Sequence, residues 1–482
     1  MPSIDAPFDT IKLGETAKLY GGRKAEKRLN IIIVGCGLGG LAAAFTLAKG
    51  GHNVTILESA SKIGEIGAGI QVSPNISRIL ISWGLGPELE KYSVCPEGFV
   101  FRRWDTGEQV GFNPTGALMT RTYNAPYLHI HRADFHRIFH DLVVGAGVKI
   151  RLSSRVVTLD PSAPSVTLAT GETFGADLII GADGVKSMVR DVVVGRPDKP
   201  VSTGDAAYRA TVPAELMLKD PDLKHFIEYP MMNAWMGPGK HIMAYCIRAQ
   251  KLFNLVILHP DDTTEESWTQ PGSVEKMREE FAGWEPRVQK ILSLIPSTYT
   301  WRLMDRKPLE TWIHPDNKVV LLGDSCHPML PYRAQGAAMA IEDAVVLGDL
   351  LSRIPALSAL PTLLKAYQEL RFARATTTQL ASRENQHIFH LPDGPEQQAR
   401  DASMREAMIQ LARKKSENQD VLETAPEAEK FDGEGCLNTW ADKKKNDIQF
   451  GYNANAEVDK YWAQKGQMEV EAAVAAGSAV SA

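Results

Sequence analysis

Cysteine is scarce in this chain: five residues among 482, at Cys36, Cys95, Cys246, Cys326 and Cys436, with no Cys-x-x-Cys pair. That number and that scatter exclude a disulfide scaffold, a thiolate zinc site and a dithiol redox centre. Long apolar runs are missing as well. No stretch reaches the ~18–20 residues that a membrane helix needs, so no membrane partner is expected. Positive charge is neither abundant nor clustered. Fifty-three Lys and Arg against 58 Asp and Glu leave a net charge of -5, and the longest basic block is Lys443-Lys444-Lys445. A nucleic-acid partner is therefore not expected. The first residues are polar, with Pro2, Asp5 and Pro7, and do not read as a secretory signal. The last three, Val480-Ser481-Ala482, match no targeting or prenylation box. A cytoplasmic protein, monomer or homodimer, is the expectation. No metal is expected either: His136 and His140 stand i, i+4 on a predicted helix with no third ligand near.

What is present is a glycine turn in an informative place. Asn30 to Val34 is a short β-branched run suited to a strand buried on both faces. Gly35-Cys36-Gly37-Leu38-Gly39-Gly40 follows and fits G-x-G-x-x-G. Leu41 to Lys49 has helical composition, a second strand covers 54–57, and Glu58 closes it 23 positions after Gly35. Each part has a physical task. Gly35 permits the tight turn, Gly37 lets backbone approach a pyrophosphate, and Gly40 lets the helix pack on the sheet. The helix N-terminus offers free N–H groups to phosphate, and Glu58 can accept from ribose hydroxyls. The turn points to a dinucleotide, without separating FAD from NAD.

Two later strings separate them. They are Gly181-Ala182-Asp183-Gly184-Val185-Lys186-Ser187-Met188-Val189-Arg190 and Gly323-Asp324-Ser325-Cys326-His327-Pro328. With the glycine turn, in this order and from about residue 30 to about 390, they make the chain resemble the single-component FAD-dependent aromatic monooxygenases. That group includes 4-hydroxybenzoate and salicylate hydroxylases. The run from Glu384-Asn385-Gln386-His387 through His390-Leu391-Pro392-Asp393-Gly394-Pro395 looks like its fungal salicylate-hydroxylase-like branch. The resemblance implies FAD held by Gly35, Gly37, Gly40, Glu58, Arg132, Asp183, Asp324 and the helix beginning at Gly336. Asp324 lies where the family binds the ribityl chain, and the Gly336 helix N-terminus would face the flavin pyrimidine, stabilising its reduced anion. A single glycine turn leaves NADH or NADPH to visit as a co-substrate.

The resemblance also implies an α/β fold. A Rossmann-like FAD-binding domain with a parallel sheet would be joined to a mixed-sheet substrate domain and C-terminal helices. The expected layout is a flexible N-terminal extension over 1–28, the FAD-binding domain over 29–200 and 306–352, and the substrate domain over 201–305. A helical region would follow over 353–464, and a flexible tail over 465–482. In such enzymes flavin reduced by NAD(P)H activates O2 and delivers an electrophilic OH to an electron-rich ring, so the protein must bind a phenolate and exclude water. Arg209 and Tyr245 match positions that hold a phenolate or carboxylate in related enzymes. Pro331 matches a proline beside the flavin whose carbonyl is expected to assist. The expected reaction is hydroxylation of a phenolic aromatic acid at the carbon bearing the carboxylate, with loss of CO2 to a catechol or hydroquinone. The alternative is a polyketide phenol, hydroxylated or dearomatised. One departure is Arg333, where relatives often carry glutamine: the extra cation would tune the flavin, help to hold an acid, or face solvent.

Overall fold

A computed structural model describes residues 19–64, 68–261, 270–416, 440 and 442–480. Its first layer is a five-stranded parallel sheet in the order Val319–Leu321, Leu178–Gly181, Asn30–Val34, Asn53–Leu57, Lys149–Arg151. Ile31, Ile32, Ile33 and Val34 are all buried, as a strand covered on both faces requires. The helix Leu38–Lys49 packs beside it against the helices Arg132–Gly145 and Gly336–Leu351.

The second layer is an eight-stranded sheet in the order Gln270–Gly272, Thr298–Asp305, Val201–Pro213, Leu252–Pro260, Lys240–Ile247, Met232–Gly237, Gly98–Arg103, Gln109–Pro114. All its pairs are antiparallel except Met232–Gly237 with Gly98–Arg103. Alternation divides its side chains between two cores. Tyr208, Ala210, Val212, Ile242, Ala244 and Cys246 pack outward under the helices Val274–Glu280 and Pro286–Ser293. Ala207, Tyr245 and Ile247 turn the other way, toward Tyr332, Phe389 and Met404. A small sheet joins the layers, with Leu128–His131 between Gly69–Val72 and Ser93–Val94.

The mixed α/β class with a parallel sheet, a mixed sheet and C-terminal helices is as expected, but two assignments of the layout change. Gly98–Arg103 and Gln109–Pro114 lie inside the stretch given to the FAD-binding domain, yet they complete the large sheet: Gly98–Arg103 pairs with Met232–Gly237, more than a hundred residues away, and Gln109–Pro114 pairs with Gly98–Arg103. Residues 19–28, expected to be mobile or to cling to the surface, are tied down: Arg23 pairs with Asp349 at 2.6 Å and Ala25 donates to the Gly50 carbonyl at 2.8 Å. Residues 1–18 of that extension lie outside the described residues. The tail from 465 onward, also expected to be flexible, forms the helix Gln467–Val480, with Val470 buried against the main core. Small residues there permit close approach, as Gly477 against Ser358 illustrates.

Candidate functional site

A cavity lies between the two sheets and is lined from both. Gly37, Arg132, Gly184, Asp324 and Gly336 face it from the parallel-sheet side, and Arg209, Tyr245 and Pro331 face it as well.

The glycine turn is built for close approach. Gly35 has φ +106, and a Cβ there would lie 2.4 Å from the Ala182 carbonyl oxygen. A Cβ on Gly40 would lie 2.2 Å from the Gly35 oxygen, so these two glycines lock strand, turn and helix together. At Gly37 a Cβ meets nothing within 4 Å, which leaves the backbone open toward the cavity at a helix N-terminus. Glu58 steadies the turn: one carboxylate oxygen accepts from the Cys36 N–H at 2.8 Å and the other from the Ala60 N–H at 2.7 Å. A carboxylate has lone pairs beyond these two bonds, so a ribose hydroxyl still finds an acceptor. Asp324 follows the strand Val319–Leu321 in a turn opened by Gly323 at φ +66. Its side chain is open to the cavity but walled by protein elsewhere, and burial raises its pKa against the pull of His327 and Arg132. An Asp324 carboxylate oxygen sits 3.8 Å from where a Cβ on Gly336 would be, which joins the ribityl candidate to the helix N-terminus.

Asp183 sits differently. One of its oxygens caps the helix Met188–Val194, accepting from Met188 and Val189 N–H at 2.8 and 3.2 Å. The other is buried with no hydrogen-bond partner among the described residues, and burial raises the carboxyl pKa. Asp183 does not line the cavity; its neighbours Ala182, Gly184 and Val185 do. The glycine turn, the open carboxylate and the helix start together suit a phosphate-bearing polyol with an anionic ring, which is the chemistry of FAD.

On the facing side, Arg209 projects from Val201–Pro213 with its guanidinium on the Trp301 ring. Tyr245 projects from Lys240–Ile247, with its ring 4.2 Å from that of His129 and its hydroxyl against Gly69. Burial raises the Tyr245 pKa, against the pull of Arg209, so it remains a hydroxyl donor. Pro331 opens a short turn, and its carbonyl accepts from the Ala334 N–H at 2.9 Å. Arg333 turns away from the cavity and donates to the Gln449 side chain at 2.7 Å, so the extra cation secures the C-terminal segment. His327 is buried on Asp343 at 2.6 Å, with Arg371 on the other Asp343 oxygen. Cys326, His327 and Asp343 form a trio of metal-ligand type, but these bonds and the contact of the Cys326 thiol with the Gly323 carbonyl occupy it. The helical pair separates in role: His136 bonds the Cys36 carbonyl at 2.7 Å, while His140 sits beside Asp141 near solvent.

Several cavity residues were not anticipated. His241 is four residues before Tyr245, hence on the same strand face, and that spacing was a usable signal. His129, Gln71 and Asn254 surround Tyr245 from other strands. Burial depresses His129 to about 3, and the Asn254 oxygen accepts from the Gly69 N–H at 2.6 Å. Trp440, five ångströms from the Phe99 ring, comes from far along the chain and carried no local signal.

Residues 28–382 match the family described as an FAD binding domain. An FAD-dependent monooxygenase, OpS4, of Beauveria bassiana is 37% identical over 382 residues, which is 78% of this chain and 89% of that protein. A 3-hydroxybenzoate 6-hydroxylase of Aquipseudomonas alcaligenes is 35% identical over 370 residues, 76% of this chain and 91% of that one. A salicylate hydroxylase solved as a substrate complex shares the fold, with a TM-score of 0.70 at 23% identity over 90% of this chain and 98% of that one.

Proposed function

This chain belongs to the FAD-dependent monooxygenases, and from that premise we propose that it hydroxylates a phenolic aromatic acid with NADH or NADPH as co-substrate. The observation that carries the reading is that Arg209 and Tyr245, on different strands of the large sheet, open onto the same cavity as Gly37, Arg132, Asp324 and Gly336. The chemistry supplied by bound FAD is hydride acceptance from the nicotinamide and activation of O2. The glycine turn and Arg132 would hold the phosphate end, Glu58 the ribose and Asp324 the ribityl chain, while Asp183 steadies its own turn by capping the helix Met188–Val194. The N-terminus of Gly336–Leu351 takes negative charge on the flavin pyrimidine. Arg209 binds the anionic group of the substrate, its plane set by Trp301, and Tyr245 donates a hydrogen bond. Pro331 shapes the cavity beside the reacting ring.

Attack falls ortho or para to the phenolate. Where that carbon bears a carboxylate, CO2 leaves and a catechol or hydroquinone remains; where it bears hydrogen, the carboxylate is retained, as the name of the 3-hydroxybenzoate hydroxylase relative implies for that enzyme. A second reading, a larger polyketide phenol, is favoured by the aromatic walls Phe99, Trp301, Phe389 and Trp440. The test is a panel of salicylate, 3- and 4-hydroxybenzoate, vanillate and a bicyclic phenol, read as NAD(P)H oxidation, O2 uptake and CO2 release. Stimulated oxidation with CO2 release on a hydroxybenzoate supports decarboxylative attack. No turnover of any simple hydroxybenzoate removes the acid reading, and turnover of the bicyclic phenol alone selects the second.

A further inference from the structure

We propose that Trp440 is a specificity-determining residue: its ring takes a second, apolar ring of the substrate, so that the site holds aromatic acids longer than one ring. The inference deepens the aromatic-acid reading above and rests on it. Trp440 lies outside the family match, which ends at residue 382. It lines the same cavity as Arg209 and Tyr245 all the same. Its ring meets that of Phe99 edge to face, with centroids 5.0 Å apart and planes at 82°. The Phe101 ring is 6.5 Å away.

The ladder of the large sheet gives the cavity its length. Arg209 stands on Val201–Pro213, Leu252–Pro260 comes next, and Tyr245 is on the strand after that. Met232 lies one step beyond the pair Asn233–Ala244, hence opposite Tyr245, and it pairs in turn with Phe99 on the following strand. Neighbouring strands are about 4.8 Å apart, so Tyr245 is two spacings, roughly 10 Å, from the strand of Arg209 and as far again from that of Phe99. A single ring held by Arg209 and Tyr245 fills the first interval. The second interval ends on Phe99, Phe389 and Trp440, with Met232 between. These four side chains are apolar, and edge and face positions on Phe99 and Trp440 suit a second ring.

Trp440 is held in place by a docked helix. The Asn446 side-chain amide donates to the Trp440 carbonyl at 3.0 Å, and Asp442 caps the helix Lys443–Phe450 by accepting from the Lys445 N–H at 3.0 Å. The last carbonyls of a helix have no partner within it. Here arginines supply them. Arg374 donates to the Ile448 and Gln449 carbonyls at 2.8 and 3.0 Å, and Arg78 to the Phe450 and Tyr452 carbonyls at 3.2 and 3.0 Å. Cations at that end also complement the helix dipole. Phe450 is buried against the rings of Tyr123 and Tyr127, at 5.7 and 6.1 Å. The helix therefore fixes the Trp440 backbone at one end while its other end is clamped to the FAD-binding side.

The test is a binding titration on the full-length, FAD-loaded enzyme, read as the perturbation of flavin absorbance. The probes are salicylate, 5-phenylsalicylate, which adds one ring to the same acid, and 4-phenylphenol, which keeps both rings and lacks the acid. The wild type should bind 5-phenylsalicylate at least about tenfold tighter than salicylate, from the apolar area of the added ring. Trp440→Ala should raise the Kd of 5-phenylsalicylate about tenfold, the size of one aromatic contact with its buried area, and leave salicylate within about twofold. Trp440→Phe should restore most of the difference. FAD content and unfolding midpoint are the controls, and Trp440→Leu, apolar without a ring, carries the test if Trp440→Ala loses FAD. Equal losses for both acids would make Trp440 a packing residue and overturn the inference. So would 5-phenylsalicylate binding that is absent in the wild type or unchanged in Trp440→Ala while salicylate binds. If neither acid binds the wild type, the aromatic-acid reading fails, and 4-phenylphenol decides the inference separately: its Kd should still rise about tenfold in Trp440→Ala, and an unchanged Kd or no binding at all sinks it.

Discussion

The parallel sheet meets the cavity mostly with backbone, and the large mixed sheet meets it with side chains. On the first side the working parts are a turn without Cβ atoms, a helix N-terminus, and a carboxylate one residue past a glycine. On the second they are Arg209, Tyr245 and His241, single side chains from two strands separated by Leu252–Pro260. A cofactor common to many enzymes is gripped by geometry that tolerates almost no substitution. A substrate particular to one enzyme is met by side chains that can change without moving a strand.

That contrast is testable, beginning with the glycine turn. Gly35→Ala places an alanine at φ +106 and 2.4 Å from a carbonyl oxygen, with strain and overlap of about 1–3 kcal/mol each. Gly40→Ala meets the Gly35 oxygen at 2.2 Å. Both variants should be recovered without FAD or not at all. Gly37→Ala, whose Cβ meets nothing, should fold with a wild-type unfolding midpoint and lose FAD affinity only. Flavin content after gel filtration together with thermal unfolding separates these outcomes, and equal behaviour of all three would refute the division of labour within the turn.

Acid stability addresses the seam between the layers. Burial depresses His52, in the parallel-sheet layer, to about 4 and His129, in the joining sheet, to about 3. Below the unfolded value of about 6.5 the unfolded chain binds the extra proton and the folded one does not, so stability falls as pH falls. Each histidine removes about 1.4 kcal/mol per pH unit, or about 2 kcal/mol by pH 5. Urea titrations at pH 6.5 and 5.0 should show this loss, and His129→Gln should remove one histidine's share. An unfolding free energy flat over that interval would contradict the buried neutral states.

On the substrate side smaller effects are expected. Arg209→Ala should lower kcat/KM for an aromatic acid by about 10- to 150-fold, the value of a charged hydrogen bond, with FAD still bound. Tyr245→Phe should cost only about 2- to 10-fold. Steady-state kinetics on the best hydroxybenzoate orders them, and Arg209→Ala with unchanged turnover would take Arg209 out of the site. Smallest of all, Arg333→Gln should leave turnover within about twofold, because that cation holds Gln449 and not the cavity. A shifted flavin potential in that variant would contradict its placement.

Much of the cofactor side was legible because its parts are contiguous. A buried β-branched strand, the glycines at 35, 37 and 40, and the aspartates at 183 and 324 are each read within a few residues. Asp183 was singled out as a cofactor-binding residue, yet its carboxylate caps a helix and does not line the cavity. Arg209 and Tyr245 emerged only through resemblance. His241 shares the Tyr245 face by a spacing of four, but nothing local told that this face looked inward. Asn254 and Trp440 were invisible, since each acts through a partner brought from more than a hundred residues away.

By itself the sequence determined that a glycine turn, a strand-end aspartate and a helix start follow one another in the order that resembles FAD-dependent monooxygenases, because local sterics and hydrogen bonding dictate such turns. Only the tertiary structure decided which strand faces meet across the cavity, that Gly98–Pro114 completes the substrate sheet, that residues 465–480 are helical, and that Arg333 turns away. Those outcomes depend on long-range strand pairing and on the burial of one core against another, neither of which is written in any single stretch of chain.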